Sequence, residues 1–248
     1  MGDHSDSDSD DDDNLLAPLS YPPLPPRPST PPSAAPGFNK RERVKGGSKV
    51  SFATVCSSNI NRSMEGHLIL ENAGLTVLSY GTGTVVKLPG KTSMEPRVFK
   101  FGTDYGNMYE SLAKEDYGFF TQNGVIPLCR RGAAVKASPT RFQDTTSAVL
   151  SSHDVVIAFE ERIFDACLED IQSRDPTDKF KPLHVICLDT KDNPQEAKRQ
   201  GKVCLQLCWE LEHCKEDLLD GAPRIVEKFQ EEISKISSIQ VLYSVCYL

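Results

Sequence analysis

The chain has 248 residues, of which 38% are hydrophobic, and a formal net charge of −7. This composition is sufficient for one sizeable core plus a tail, and it excludes a nucleic-acid binder that works through overall positive charge. No apolar run approaches the roughly 20 residues that span a bilayer, and the first residues do not form a signal peptide, so we expect a soluble intracellular protein. Eight cysteines are too few for the framework of a small disulfide-rich domain, so we expect reduced thiols.

Residues 1–47 differ in composition from the rest of the chain. An Asp/Ser run at 3–13 is followed by a proline-rich stretch at 18–36, and neither can build a core. A basic cluster at 40–45 (KRERVK) is either a nuclear import signal or a soluble linker. We therefore predict a disordered acidic and proline-rich tail with a basic linker over 1–47, and one folded domain over 48–248.

Predicted strands and helices alternate from residue 48 onward. The sequence predicts strands at 49–55, 75–80, 154–159 and 183–188, and helices at 63–72, 105–114, 160–173 and 195–219. Residues 119–129, with Asn123-Gly124 in the middle, predict a β-hairpin with a type I′ turn. This order indicates an α/β fold with a doubly wound, mainly parallel sheet, flanked by helices and carrying the inserted hairpin.

The loop between the first strand and the first helix carries the strongest chemical signal. A phosphate needs several convergent donors, and the five residues between Cys56 and Arg62 are enough to wrap main-chain N–H groups around it. The loop lies at a helix N-terminus, which favours both a bound anion and a cysteine thiolate. The predicted phosphate-binding loop consists of Ser57, Ser58, Asn59, Ile60 and Asn61.

Three neighbouring side chains have predicted roles around this loop. Cys56 is the expected nucleophile, Arg62 is expected to bind two phosphate oxygens through its planar fork, and Ser63 is expected to donate a hydrogen bond to the thiolate. The alternative is a buried structural cysteine at the end of a strand.

Two aspartates follow the fourth predicted strand, at the edge of the sheet where Cys56 also lies. Asp192 is the candidate general acid that protonates the leaving alkoxide or phenoxide and then deprotonates a water molecule. Asp189 is a fallback donor or orients Asp192. The alternative is that both are turn and capping residues, since Asn193 and Pro194 suit the start of a helix.

Five separated blocks resemble the Ssu72-type phosphatases of the RNA polymerase II C-terminal domain. The blocks are 56–64 (CSSNINRSM), 81–84 (GTGT) with 86–90 (VKLPG), 121–124 (TQNG), 160–162 (EER), and Asp189 with Asp192-Asn193. The resemblance covers about residues 49–248. After Asn123-Gly124 the chain carries Val125-Ile126-Pro127-Leu128, where the family pattern has histidine and methionine, and Pro194 stands where that pattern has histidine.

The resemblance implies a fold like that of the low-molecular-weight tyrosine phosphatases. It implies removal of phosphate from the fifth-position serine of the polymerase heptad, with the following Ser-Pro bond in cis, during transcription and mRNA 3′-end processing. It assigns Cys56 as nucleophile, Arg62 as phosphate clamp and Asp192 as general acid, with Asp189 beside it. Lys87, Leu88 and Pro89 then border the substrate groove.

The resemblance also implies partners and a compartment. The expected partners are the phosphorylated C-terminal-domain peptide, a scaffold protein of the cleavage and polyadenylation machinery and, functionally, a prolyl isomerase. We expect a nuclear location with a possible cytoplasmic fraction, and no cofactor, metal, membrane or direct nucleic-acid contact.

Two other functions are compatible with the sequence. A low-molecular-weight tyrosine phosphatase would usually carry a tyrosine pair after its acid loop, where this chain has Pro194-Gln195, and a non-catalytic scaffold of 3′-end processing would not need Cys56. A zinc site at Cys204, Cys208, His213 and Cys214 is less favoured than a helix face packed in the core, because the paired Cys-x-x-Cys spacing is missing.

Overall fold

The computed structural model describes residues 21–24, 47–92, 94–175, 177, 180–235, 237 and 239–248. Its strands are β1 (Ser51–Cys56), β2 (Thr76–Gly81), β3 (Val86–Leu88), β4 (Arg97–Phe99), β5 (Val155–Ala158), β6 (Pro182–Leu188) and β7 (Val241–Tyr247). Its helices are α1 (Arg62–Asn72), α2 (Tyr105–Gln122), α3 (Val125–Val135), α4 (Ser147–Leu150), α5 (Glu161–Ser173), α6 (Pro194–Glu212) and α7 (Leu218–Ser234).

Five of the strands form the main sheet, in the order β2-β1-β5-β6-β7. The first four are parallel, and β7 pairs antiparallel with β6 at the edge. The central strands β1 and β5 are almost completely buried, which explains their continuous β-branched and apolar runs. The prediction of a mainly parallel, helix-flanked sheet is confirmed, whereas the antiparallel β7 was not predicted.

Helices cover both faces of this sheet. On one face α1, α6 and α7 enclose a core that includes Phe52, Leu207 and Phe229. Cys204 and Cys208 are fully buried in the same core, which confirms their interpretation as packing residues. On the other face α5 contributes an apolar stripe formed by Ile163, Phe164, Cys167 and Ile171. Each fully buried side chain of the larger apolar types stabilises the fold by about 1.5–3 kcal/mol.

The predicted hairpin at 119–129 is wrong, because these residues belong to two consecutive helices. The helix predicted at 105–114 ends at a kink at Asp116, whose φ is −168° and ψ 84°; helical residues then continue to Gln122, and α3 begins at Val125. Between them Gly124 has φ 88°, the left-handed conformation that commonly follows the end of a helix. An Asn-Gly pair suits both a type I′ turn and this helix-ending position, so the pair alone did not distinguish them.

Two further segments differ from the sequence prediction. The helix predicted at 195–219 is divided into α6 and α7, and α7 begins after Asp217, whose carboxylate accepts a hydrogen bond from the N–H of Leu219 at 2.9 Å. An antiparallel hairpin is present, but it is formed by β3 and β4, with Val86 paired to Phe99. In the described part of the chain, no helix combines the length and apolar character needed to span a membrane.

Candidate functional site

The predicted nucleophile lies at the carboxyl end of β1, where the chain enters the phosphate-binding loop at 57–61. Cys56 is only 3% exposed, and its Sγ lies 3.0 Å from Oγ of Ser63 in the first turn of α1. Ser63 Oγ also accepts a hydrogen bond from Nδ2 of Asn59 at 3.0 Å. Because the Asn59 amide occupies Ser63 as an acceptor, the hydroxyl proton of Ser63 is available to the sulfur.

The carbonyl groups of this loop are bound by the surrounding protein. The carbonyl of Cys56 accepts a hydrogen bond from Thr82 N at 3.0 Å, and that of Ser57 accepts one from Gly83 N at 2.9 Å. Asn59 O accepts a hydrogen bond from the hydroxyl of Tyr105 at 2.5 Å. Nη2 of Arg131 donates to Ile60 O at 2.7 Å and to Asn61 O at 2.8 Å. Among the described residues, the N–H groups of 57–61 donate to no acceptor. The fold therefore satisfies these five acceptors and leaves a set of donors for an anion.

The backbone of the loop contacts the end of β2, at Gly81, and the segment that follows α3, at Thr140. Asn59 has φ 53°, and its Oδ1 accepts a hydrogen bond from the N–H of Thr140 at 3.0 Å. Gly81 approaches so closely that a Cβ at this position would lie 2.6 Å from Ser57 O and 2.9 Å from Asn59 N. A side chain at position 81 would therefore displace the loop.

Arg62 is 2% exposed and is anchored through one end of its guanidinium group. Its Nη1 donates to Phe159 O at 3.1 Å, to Thr190 O at 2.9 Å and to Oε2 of Glu160 at 2.8 Å. Its Nε and Nη2 are buried and have no hydrogen-bond partner among the residues that the structure describes. Oδ2 of Asp192 lies 3.3 Å from Nη2 as a charge contact. The remaining Nε–Nη2 edge is the part of arginine that binds two oxygens of a phosphate group.

The charges around the loop keep Arg62 ionised. Burial alone lowers the pKa of Arg62, but the negative charges of Cys56, Asp192 and Glu160 outweigh burial and raise the pKa above its ordinary value. The guanidinium is therefore a permanent cation beside the sulfur. A positive charge in this position favours both a thiolate and a bound phosphate.

Two further cations lie behind the loop. Arg131 forms an ion pair with Glu65 of α1, with 2.5 Å between Nη1 and Oε2, and burial lowers its pKa. Lys136 donates from Nζ to Ser79 O at 2.7 Å and to Oγ1 of Thr140 at 3.0 Å. Burial lowers the pKa of Lys136 to about 7, although the negative charge of Cys56 acts in the opposite direction. The loop is thus surrounded by basic groups at its base.

The two predicted aspartates occupy different environments. Asp192 accepts a hydrogen bond at Oδ1 from Nδ2 of Asn61 at 3.0 Å, which places its carboxylate at the phosphate-binding loop. Its side chain is 57% exposed and therefore accessible to substrate and water. Asp189 is exposed, and its N–H donates to Gln240 O at 3.2 Å. None of the described residues forms a hydrogen bond or ion pair with the Asp189 carboxylate, so only Asp192 is brought to the loop.

A cavity of about 120 Å³ opens above Cys56 and Asp192. One wall is the segment 87–89, which contains the predicted groove residues Lys87, Leu88 and Pro89. The N–H of Lys87 donates to Oγ of Ser58 at 3.1 Å and ties this wall to the loop. Val125, Leu128 and Pro194 also line the cavity. The lining therefore combines the polar groups of the loop and Asp192 with apolar side chains.

Sequence reasoning missed the functional placement of Glu160 and Arg131. Glu160 follows β5, which is the neighbour of β1, and this position at the carboxyl end of a central strand could have indicated a role. No sequence signal indicated a role for Arg131. It lies on α3, and part of this helix was expected to be a β-hairpin. Across the described residues, no group of three or more His, Cys, Asp and Glu side chains is arranged to hold a metal ion.

Comparison with known proteins gives a consistent match over the folded region. The family model described as Ssu72-like protein matches residues 50–248. The RNA polymerase II C-terminal domain phosphatase SSU72 of Danio rerio is 40% identical over 195 residues, covering 79% of this chain and 95% of that protein. The protein of the same name from Schizosaccharomyces pombe is 37% identical over 196 residues, with 79% and 95% coverage.

Solved structures give the same result. A Drosophila melanogaster Ssu72 structure, described as bound to Symplekin and to a cis peptidomimetic phospho-Ser5 peptide of the C-terminal domain, has a TM-score of 0.75 and 33% identity. The match covers 81% of this chain and 100% of that one. A second structure, of the serine phosphatase from the same organism, also has a TM-score of 0.75, with 35% identity and the same coverage.

Proposed function

Because the chain belongs to the Ssu72-like family, we propose that it removes phosphate from the fifth-position serine of the RNA polymerase II C-terminal-domain heptad through a phosphocysteine at Cys56. The observation that carries this proposal is the juxtaposition of Cys56, Ser63 and the Nε–Nη2 edge of Arg62 around one loop, in which this edge and the loop N–H groups have no hydrogen-bond partner among the described residues. We also propose the domain boundary at residues 47 and 48, with the tail outside the catalytic unit.

In the first step the Cys56 thiolate attacks phosphorus. The S–P bond forms and the bond between phosphorus and the serine oxygen breaks. Asp192 transfers its proton to that oxygen, because an alkoxide is a poor leaving group. Arg62 and the N–H groups of 57–61 bind the equatorial oxygens as charge develops on them.

In the second step the ionised Asp192 takes a proton from water. The water oxygen attacks phosphorus, the S–P bond breaks, and inorganic phosphate leaves with the thiolate restored. The hydroxyl of Ser63 donates a hydrogen bond to the thiolate in both the starting and the final state. Arg62 and the N–H groups of 57–61 supply the positive charge that contacts the phosphate in these steps, so the proposal requires no metal ion.

The substrate groove is the cavity between 87–89 and the wall formed by Val125, Leu128 and Pro194. We propose that it accepts the Ser-Pro bond in cis, in line with the cis peptidomimetic described for the Drosophila protein. The cis form makes up about 10–30% of such bonds in unfolded chains and exchanges slowly. A prolyl isomerase should therefore accelerate turnover at high enzyme concentration.

A scaffold protein is the second proposed partner. The Drosophila structure contains Symplekin, and we propose that this chain binds a scaffold of the same kind in the cleavage and polyadenylation machinery. This function requires action in the nucleus. The basic cluster at 40–45 is the candidate import signal.

The decisive experiment compares phosphoserine heptad peptides with a phosphotyrosine peptide, with and without a chelator. We expect phosphate release from phosphoserine in the presence of chelator, and a loss of at least ~10³-fold in Cys56→Ser because the nucleophile is removed. Trapping a phosphoenzyme in Asp192→Asn by mass spectrometry identifies the intermediate. A preference for phosphotyrosine would favour the tyrosine phosphatase alternative, and unchanged activity of Cys56→Ser would refute the mechanism.

A further inference from the structure

A short part of the N-terminal tail packs against the folded domain. The side chain of Tyr21 is only 7% exposed, although it lies in the proline-rich stretch that the composition separates from the core. Its ring lies edge-on to Tyr109 with 6.1 Å between ring centres, and it stacks on Tyr117 with 6.2 Å between centres and 21° between planes. Both partner tyrosines belong to α2.

Two other contacts extend this packing along the helix. The hydroxyl of Tyr109 donates a hydrogen bond to Pro22 O. Leu24 packs on the apolar cluster that contains Tyr21 and Tyr109. Leu24 also lies close to Gly106, because a Cβ added at position 106 would be 3.4 Å from Leu24 Cδ1. We name the surface formed by Gly106, Tyr109 and Tyr117 the tyrosine groove. It is contacted at three successive points by residues 21–24.

The chemistry of the segment suits such a groove. Pro22 and Pro23 restrict the backbone around Tyr21 to extended conformations, so the segment loses little conformational entropy when it binds. Aromatic-lined grooves that bind proline-rich extended peptides are a recurring recognition mode. The hydroxyl of Tyr21 is buried and has no hydrogen-bond partner within the described part of the chain. The ring, not the hydroxyl, therefore makes the contact.

We propose that the tyrosine groove is a peptide-docking site whose occupant is the Tyr-Pro-Pro-Leu segment at 21–24 of the same chain. This inference goes beyond the hydrolysis of phosphoserine and does not depend on it. The segment acts in cis, because its covalent connection raises its effective concentration to the order of millimolar. A free peptide or a second copy at micromolar concentration competes poorly against a tethered occupant.

Docking at this position stabilises a helix that supports the active site. The hydroxyl of Tyr105, which is adjacent to Gly106, donates a hydrogen bond to Asn59 O in the phosphate-binding loop. Farther along α2, Glu115 forms an ion pair with Arg97 of β4, in the hairpin that carries the 87–89 wall. The docked segment therefore lies on the outer side of α2, and α2 holds both the phosphate-binding loop and the 87–89 wall of the substrate groove.

Peptide binding to the full-length chain tests the proposal directly. The probe is a fluorescent peptide of residues 18–27 (PLSYPPLPPR). In Tyr21→Ala the chain's own segment no longer occupies the tyrosine groove. We therefore expect the peptide to bind this variant at least ~10-fold more tightly than it binds the wild type. Tyr21→Phe is the matched control and should bind the probe as weakly as the wild type, because the hydroxyl has no partner.

A second variant identifies the site of binding. Tyr109→Phe removes only the hydroxyl that donates to Pro22 O. Added to Tyr21→Ala, it should weaken probe binding several-fold, and a probe with alanine in place of its tyrosine should not bind to either protein. Equal probe affinity for the wild type and Tyr21→Ala would overturn the proposal.

Hydrogen exchange measures the same docking without a ligand. We expect amides at 105–117 to exchange about tenfold faster in Tyr21→Ala and unchanged in Tyr21→Phe, because local opening no longer has to displace the docked segment. Unchanged exchange in Tyr21→Ala would contradict the proposal. So would a concentration-dependent dimer that Tyr21→Ala abolishes, since the groove would then be filled by the segment of a second copy.

Discussion

The sulfur of Cys56 and the hydroxyl oxygen of Ser63 lie 3.0 Å apart at the base of the phosphate-binding loop. Since hydrogen bonds to charged groups contribute about 1.5–3 kcal/mol, we expect Ser63→Ala to lower kcat by roughly 10- to 100-fold. KM should change little, because Ser63 contacts the sulfur and not the substrate.

The rate of alkylation of Cys56 by iodoacetamide at pH 7 provides a second measurement for this variant. It should fall together with kcat, because the hydroxyl stabilises the reactive thiolate. Unaltered kcat and unaltered alkylation in a folded Ser63→Ala protein would show that the contact has no role in catalysis.

The general acid can be identified through the leaving group. Asp192 is held at the loop by Asn61, whereas the carboxylate of Asp189 has no bonded partner among the described residues. We expect Asp192→Asn to lose about 10²- to 10⁴-fold in kcat with phosphoserine peptide, and far less with an aryl phosphate whose leaving group needs no proton. Asp189→Asn, the matched variant, should lose less than about threefold with either substrate. The reverse pattern would make Asp189 the donor.

Variants of the Arg131–Glu65 ion pair should distinguish an effect on fold stability from an effect on catalysis. Both side chains are largely buried, so Arg131→Met leaves Glu65 as an uncompensated charge and should destabilise the fold by about 3–5 kcal/mol. The double variant Arg131→Met/Glu65→Met should recover most of this stability in urea unfolding. Its activity should stay low, because Ile60 O and Asn61 O have lost their shared donor. Full recovery of kcat would show that Arg131 supports only the fold.

Burial makes the stability of the protein depend on pH in the acidic range. It lowers the pKa of His67 to about 3, with the charge of Lys136 acting in the same direction, while the unfolded chain protonates histidine near 6.5. The unfolded state therefore binds more protons between these values. The stability from neutral His67 is fully present above about pH 6.5 and is lost as the pH falls toward 3.

The measurement is urea unfolding between pH 7 and pH 4. His67→Gln should reduce the slope of unfolding free energy against pH by up to about 1.4 kcal/mol per pH unit. His213→Gln changes an exposed histidine and should leave the slope unchanged. Equal slopes in all three proteins would exclude His67 as the source.

The sequence predicted the parts of the site that depend on local chain geometry. Cys56, the five loop residues and Arg62 belong to one strand-loop-helix unit, so their spacing together with the strand before it and the helix after it predicted the loop. Asp192 was predicted to lie near Cys56 because the parallel strands of an α/β sheet bring their carboxyl ends to one edge. Arg131 could not be found in this way, since its contact with the loop spans 70 or 71 residues and arises only from the packing of α3.

The failed predictions have a common physical origin. Asn123-Gly124 satisfies the dihedral requirements of two different turns, and only the burial of Phe120 and Val125 in a helical layer selects between them. The division between α6 and α7 depends on the capping of α7 by Asp217, which the apolar periodicity did not reveal. The packing of Tyr21 against Tyr109 and Tyr117, which was not predicted, depends on the ring surfaces of α2, and the composition of the tail does not encode these.

The left-handed glycine between α2 and α3 has a consequence for how this enzyme can diversify. The short connection at Gly124 presents Asn123, Val125 and Leu128 to the cavity, and none of these side chains belongs to the proposed chemical machinery. At this connection the proposed substrate recognition is separate in sequence from the proposed chemistry. Exchanges at Asn123, Val125 and Leu128 would alter the peptide preference of the proposed groove and leave Cys56, Arg62 and Asp192 unchanged.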